Sequence, residues 1–209
     1  PQNHVIWVSP LYFRPGACSQ ASHIVLHETG LAFDTEMVNT VENSTDSGAV
    51  FSDINAKGQV PVLELDDGQL LTEGSVIVQY LADKAPQAGL LPTAGTVGRA
   101  RVQEVLSFVG SELHKPFDAL FNPAVPEEYK RIAKEALARK FKFLDARLSG
   151  SDYMAGDSFS VADPYPFVVF SWTKYADIDL SEYKNISAFI ERISARPQVQ
   201  ETLKAEGLV

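Results

Sequence analysis

Residues 11–24, LYFRPGACSQASHI, compress a strand, a turn and the start of a helix into one short stretch. Leu11–Phe13 is a β-favouring apolar run, and Pro15-Gly16 breaks it as a turn pair. From Ser19 the spacing becomes helical, with Ala21, Ile24 and Val25 on one face and Gly30 placed as a C-terminal stop. Cys18, the only cysteine of the chain, therefore stands at a helix N-terminus. Unpaired backbone N–H groups and the macrodipole favour negative charge there, and can lower a thiol pKa from ~8.5 into the range ~3.5–7.5. Two readings stay open: a reactive thiolate, or a buried cysteine packed like a small hydrophobe. CSQA lacks the second thiol of a C-x-x-C motif, so any disulfide partner comes from outside the chain, most simply as a small thiol.

Outward from this stretch, LAFDTEMVN (31–39) alternates loosely as a strand. KGQVPVLELDDGQLLTEGSVIVQYL (57–81) reads as a hairpin around Asp67-Gly68, followed by a helix with Val76, Ile77, Tyr80 and Leu81 on one face. Pro61 cannot donate to a sheet ladder, so Val60-Pro61 is an edge, a turn or a cis peptide. Glu73 begins the following helix, where it either caps backbone amides or pairs with a ligand ammonium.

Residues 86–98, with two prolines and three glycines, break the pattern as a linker. Every long segment beyond them is helical. Val102, Val105, Leu106, Val109 and Leu113 form one stripe; Ile132, Leu137, Phe141, Leu144 and Leu148 form another, stopping at Gly150. Ser160 and Asp163 stand at capping-box spacing before an apolar helix, and a further helix ends before Pro197. In SELHKPF (111–117), Pro116 bends or ends a helix and leaves nearby carbonyls without their usual partners. His114 beside it is an acid, a base or a thiolate partner if it faces a cleft, and otherwise a satisfied surface or core histidine. His23 is expected to pack beside the Cys18 helix and His27 to face solvent.

The composition excludes several classes of function. The 209 residues are 45% hydrophobic and 22% charged, and 18 basic against 27 acidic residues give a net charge of −9. No basic run suits nucleic acid or an anionic membrane surface. No apolar stretch approaches the ~20 residues of a membrane helix, and the opening PQNHVIWVSP lacks the basic flank of a signal peptide. A single cysteine favours a reducing compartment such as the cytoplasm. Four scattered histidines and one cysteine make no metal-ligand spacing, so no metal is expected, and neither a phosphate loop nor a G-x-S-x-G elbow is present.

Taken in order, LYFRPGACSQASHI, KGQVPVLELDDGQLLTEG.VIVQYLAD, ELHKPF..LFNP, FSVADPY and the closing RPQVQ..L.AEGL resemble a bacterial beta-class glutathione S-transferase from about Leu11 to the C-terminus. The resemblance implies the cytosolic glutathione transferase architecture: a thioredoxin-like α/β domain over 10–85, the linker 86–98 and an all-α helical domain over 99–209, assembled as a homodimer. Residues 1–9 fall outside it, as an altered start or N-terminal extension. It further implies a cis proline at Pro61, and a cysteine at Cys18 that forms a mixed disulfide with glutathione. His114 and Lys115 would approach the glutathione sulfur. Val60, Glu73 and Gly74 would bind glutathione, and Glu112 would reach the ligand of the partner subunit.

The chain also departs from the family pattern. NTVENSTDSG (39–48) has no lysine or arginine where basic residues commonly stand near the positions of Glu42 and Asn43, leaving Lys57 as substitute. Ser107 stands where many members carry asparagine. The implied function is a transferase with glutathione as co-substrate, conjugating it to hydrophobic electrophiles in detoxification, or running thiol transfer or peroxide reduction through Cys18. The alternative is a non-catalytic binder of glutathione adducts or hydrophobic compounds.

Overall fold

The computed structural model describes the backbone from Trp7 and the side chains from Pro10 to the C-terminus. The chain divides into two compact units: the described residues up to Leu90 together with Arg196–Val209, and Leu91–Ala195.

The first unit is built on a mixed sheet of order β3-β2-β1-β4-β5. Strand β1 (Trp7–Phe13) pairs parallel with β2 (Ala32–Asn39), which helix α1 (Ser19–Thr29) makes possible by carrying the chain back across the sheet. Strand β3 (Ser44–Thr45) adds antiparallel to β2, and the short helix α2 (Phe51–Ile54) follows it. Strand β4 (Val62–Glu64) pairs antiparallel with both β1 and β5 (Leu70–Thr72), as the Asp67-Gly68 turn predicts. Helix α3 (Gly74–Lys84) packs against α1 over a core that includes Leu11, Ile24, Leu63, Ile77 and Leu81. This is the expected thioredoxin-like arrangement.

Three details differ from expectation. Strand β1 begins at Trp7, so residues 7–9, set aside with the N-terminal extension, belong to it, and Trp7 and Val8 pair with β2; residues 1–6 of that extension lie outside the described residues. In α3 the buried face is Ile77, Val78, Leu81 and Ala82, with Val76 half exposed. The apolar run Val76-Ile77-Val78 offers two faces one position apart, and packing on α1 selects the second. Finally, helix α9 (Pro197–Ala205), expected within a helical domain of 99–209, belongs to the first unit because it docks along α1. The Arg196 guanidinium meets both Glu28 oxygens at 2.6 and 3.0 Å, and the Thr202 hydroxyl lies 2.8 Å from His27 Nδ1.

The second unit is helical: α4 (Val97–Phe108), α5 (Lys115–Leu120), α6 (Glu127–Leu148), α7 (Pro164–Ser171) and α8 (Lys184–Ser194). The first stripe is buried throughout; in the second, Leu137 to Leu148 are buried and Ile132, near the start of α6, is half exposed. Phe141, Phe170 and Phe189 stack edge to face at 5.7 and 6.2 Å, tying α6, α7 and α8 together. The Asp163 carboxylate accepts from the N–H groups of Ser160 (2.9 Å) and Met154 (2.8 Å), fixing the entry to α7. Among the described residues no helix is long and apolar enough to cross a membrane.

Candidate active site

In the first unit the Arg14–Ser19 segment closes on itself. Ser19 Oγ accepts the Arg14 N–H at 3.1 Å and donates to the Arg14 carbonyl at 3.2 Å, while the Ala17 N–H reaches the same carbonyl. Gly16, at φ 71°, supplies the left-handed step the turn needs. The result sets Cys18 as the N-cap of α1, half-buried, with its Sγ donating to the Val60 carbonyl at 3.2 Å. As thiol, Cys18 is a donor to a backbone acceptor; as thiolate, it would have no proton to give and would be favoured by the amides and dipole of α1. Val60-Pro61 is cis, one of the three alternatives open from sequence.

Beside this pair lies the start of α3. Glu73 is its N-cap at φ 70°, ψ 107°, a backbone conformation that costs a non-glycine residue free energy. Its side chain makes no cap and instead meets Lys57 Nζ at 2.5 Å; the same ammonium donates to Thr72 Oγ1 at 2.9 Å. Lys57, expected to substitute for the missing cations of 39–48, is thus drawn to Glu73. Asn43 in that segment exchanges two 2.8 Å hydrogen bonds with Ser52, closing the turn into α2. A Cβ on Gly74 would lie 3.6 Å from Pro61 Cγ and 3.9 Å from Ser22 Oγ, which places the α3 start directly on the cis proline. Ser22 Oγ is buried with no hydrogen-bond partner among the described residues.

The turn before Cys18 is held from the far end of the chain. Glu206, whose side chain is 0% exposed, accepts from the Gly16 N–H at 2.9 Å and from Gln20 Nε2 at 2.8 Å, and its second oxygen lies 2.9 Å from His23 Nδ1. His23 is buried as expected. His27 is not solvent-facing: it stacks on His23 at 5.1 Å and meets the edge of Phe33 at 5.0 Å. Burial, then the neighbouring His23, hold the His27 pKa below the ordinary histidine value, against the opposing pull of Glu201 and Glu206. Glu206 carried no local signal as a functional residue, because a glutamate at a helix end reads as solvated.

In the second unit, Ser107, Glu112, His114 and Lys115 lie along one continuous run, α4 into a π-helical turn (109–114) into α5. π-Turns inside α-helices recur at functional sites. Ser107 is exposed, its carbonyl accepting from Ser111 Oγ at 3.0 Å. His114 is half-buried between aromatic rings, edge-on to Trp172 at 4.8 Å and Tyr165 at 5.7 Å, with Nδ1 hydrogen-bonded to the Tyr165 hydroxyl. Burial lowers its pKa from the ordinary value; Asp118 pulls it up and Lys115 adds to the lowering. In the tautomer in which the Tyr165 hydroxyl donates to Nδ1, the neutral ring carries its proton on Nε2 as a hydrogen-bond donor; in the other, Nδ1 donates to the hydroxyl and Nε2 accepts. Lys115 is exposed and paired with Asp118 at 2.8 Å, which raises its pKa. Tyr165 and Trp172, in an apolar segment read only as buried, are partners of His114 that sequence reasoning missed.

Models of the glutathione S-transferase N-terminal and C-terminal domains match residues 16–84 and 104–197, the first spanning Cys18, Val60-Pro61 and Glu73, the second the His114 turn. The chain belongs to the bacterial beta-class glutathione S-transferases. It is 41% identical to glutathione S-transferase GstA of Escherichia coli O157:H7 over 198 residues, 95% of this chain and 98% of that one. A sphingomonad glutathione S-transferase solved with glutathione is 44% identical with a TM-score of 0.92, covering 96% of this chain and all of that one. The beta-class enzyme of Sphingomonas chungbukensis is 45% identical with the same TM-score and the same coverage. The transferase is an enzyme of this class, and its family links it to glutathione. Among the described residues no group of three or more His, Cys, Asp or Glu side chains is placed to hold a metal.

Proposed function

We propose that this transferase conjugates glutathione to hydrophobic electrophiles, and that Cys18 also exchanges with glutathione as a mixed disulfide. The observation that carries the reading is the convergence of Cys18 Sγ on the Val60 carbonyl, beside cis Pro61 and the start of α3. An extended peptide backbone can pair with the Val60 edge by β-augmentation. Its γ-glutamyl carboxylate suits the N-terminus of α3, where Gly74 leaves the amides open, and its ammonium suits Glu73. The ligand sulfur then lies near Cys18. Ser107, His114 and Lys115 are assigned to the same ligand, supported by the family match of the helical unit. In its Nε2–H tautomer His114 donates to the developing thiolate. The enzyme acts as a homodimer in which Glu112 serves the partner's ligand, in the reducing cytoplasm.

In the redox branch the Cys18 thiolate attacks oxidised glutathione, forming the Cys18–glutathione disulfide and releasing one glutathione thiolate. That first exchange only loads the site; in turnover the Cys18 thiolate attacks the glutathione sulfur of a mixed disulfide, releasing the other thiol as its thiolate, and a glutathione thiolate then attacks the Cys18–glutathione disulfide, regenerating Cys18 and forming oxidised glutathione. The absence of Lys or Arg in 39–48, with Lys57 tied to Glu73, favours weak glutathione binding and supports the second reading, a non-catalytic binder of adducts.

Intact mass after incubation with oxidised glutathione, for wild type and Cys18→Ala, tests the mixed disulfide; turnover of an aryl halide and a hydroperoxide tests the chemistry. An adduct with hydroperoxide or disulfide turnover supports the redox branch, and aryl-halide turnover that survives Cys18→Ala supports conjugation. Tight binding of an apolar dye with neither turnover nor adduct refutes the enzyme reading.

A further inference from the structure

We propose that Lys140 is a positioning residue of the glutathione site, acting through Glu112; the inference rests on the assignment of His114 to the ligand of its own subunit and of Glu112 to the ligand of the partner subunit. In an α-helix the Glu112 carbonyl would accept from the N–H of residue 116, but Pro116 has none. The chain passes this point as the π-helical turn that carries both Glu112 and His114. Lys140, on α6 and 28 positions further along, donates to the carbonyl that the proline cannot serve: its Nζ lies 3.1 Å from the Glu112 oxygen. The same ammonium pairs with Glu112 Oε2 at 2.6 Å.

An isolated exposed ion pair contributes little to any structure. This one has a second anchor. The three protons of the ammonium allow it to serve a backbone carbonyl and a carboxylate together, and the lysine side chain is 27% exposed against 47% for the glutamate, so the cation is the more fixed partner. Two consequences follow for the ligand. The carbonyl contact fixes the turn that ends at His114, and the carboxylate contact fixes the Glu112 rotamer while leaving Oε1 to accept from a ligand ammonium. Lys140 itself touches no reacting atom.

The test uses the full chain and measures glutathione Kd by calorimetry, KM and kcat with an aryl halide, and Tm. Lys140→Met and Lys140→Gln are expected to raise glutathione Kd and KM about five- to tenfold, the size of one ordinary net hydrogen bond because the loss reaches the ligand only through Glu112, with kcat changed less than about twofold. Lys140→Arg, which keeps charge and donors, is expected to restore Kd to within about twofold of wild type by the same logic. Adding Lys140→Met to Glu112→Gln should cost nothing further, because residues acting as one unit are not additive. A lowered Tm with unchanged Kd in the Lys140 variants, while Glu112→Gln raises Kd, overturns this inference alone. An unchanged Kd in Glu112→Gln overturns the assignment of Glu112 and the inference with it. No binding of glutathione by the wild type refutes the proposed function as a whole.

Discussion

Replacing Glu206 by alanine removes the carboxylate that meets three donors: the Gly16 N–H, the Gln20 amide and the His23 ring. The side chain is fully buried, so water cannot replace it without opening the α1–α9 contact. Each hydrogen bond to a charged group contributes roughly 1.5–3 kcal/mol, but three bonds to one group are not additive. Breaking one side of a buried polar cluster costs about 3–5 kcal/mol, a large share of the ~5–15 kcal/mol that holds a typical protein folded. For a chain of this size that corresponds to a drop in Tm of about 6–20 °C. Urea unfolding followed by circular dichroism reads the free energy directly, and Glu206→Gln, which keeps one acceptor oxygen, should lose less than alanine. Because the Gly16 N–H that loses the Glu206 acceptor lies two residues before Cys18, the alkylation rate of Cys18 by iodoacetamide should change in both variants. A loss below about 1 kcal/mol for alanine would show that the carboxylate is not a buried acceptor and would refute the reasoning.

Two further outcomes follow from the same geometry. Burial holds His27 and His114 below the ordinary histidine pKa, so the unfolded chain binds more protons than the folded one at pH values just under about 6.5. Stability from these rings is therefore complete above that pH and lost as pH falls through the folded values; denaturant midpoints at pH 7.5 and 5.5 should show the decline, and His114→Phe should shrink it. Glu73→Gly relieves a positive-φ cost of about 1–3 kcal/mol and loses an exposed ion pair worth about 0–1 kcal/mol. Tm should rise by a few degrees, about 2–4 °C per kcal/mol, while glutathione affinity falls; a lower Tm would show that the backbone at Glu73 is not strained.

Much of this was legible because it is local. The strand–turn–helix around Cys18 follows from Pro15-Gly16 and the spacing of Ala21, Ile24 and Val25. The hairpin follows from Asp67-Gly68, and the break at His114 from Pro116. Misreadings arose where a short apolar run allowed more than one face, as at Val76, or where a polar residue was judged without its distant neighbour, as at His27. The proposed site rests on residues with a local signature, such as Cys18, Pro61 and His114; Tyr165, Trp172, Lys140 and Glu206, which the fold packs or pairs around them, have none, since an aromatic in an apolar helix and a charge on an amphipathic one look like any other.

Turn chemistry and helical periodicity act over a few residues, so composition and spacing were enough for the two-part α/β and helical plan and for the thiol at a helix N-terminus, while the resemblance to a known family rests on the ordered motifs themselves. Which residues hold that thiol and the histidine turn was decided by tertiary packing. Gly16 and Glu206 are 190 positions apart and Glu112 and Lys140 are 28 apart. No local rule connects them: a backbone group left open by a turn or a proline takes whatever donor or acceptor the folded chain brings to it.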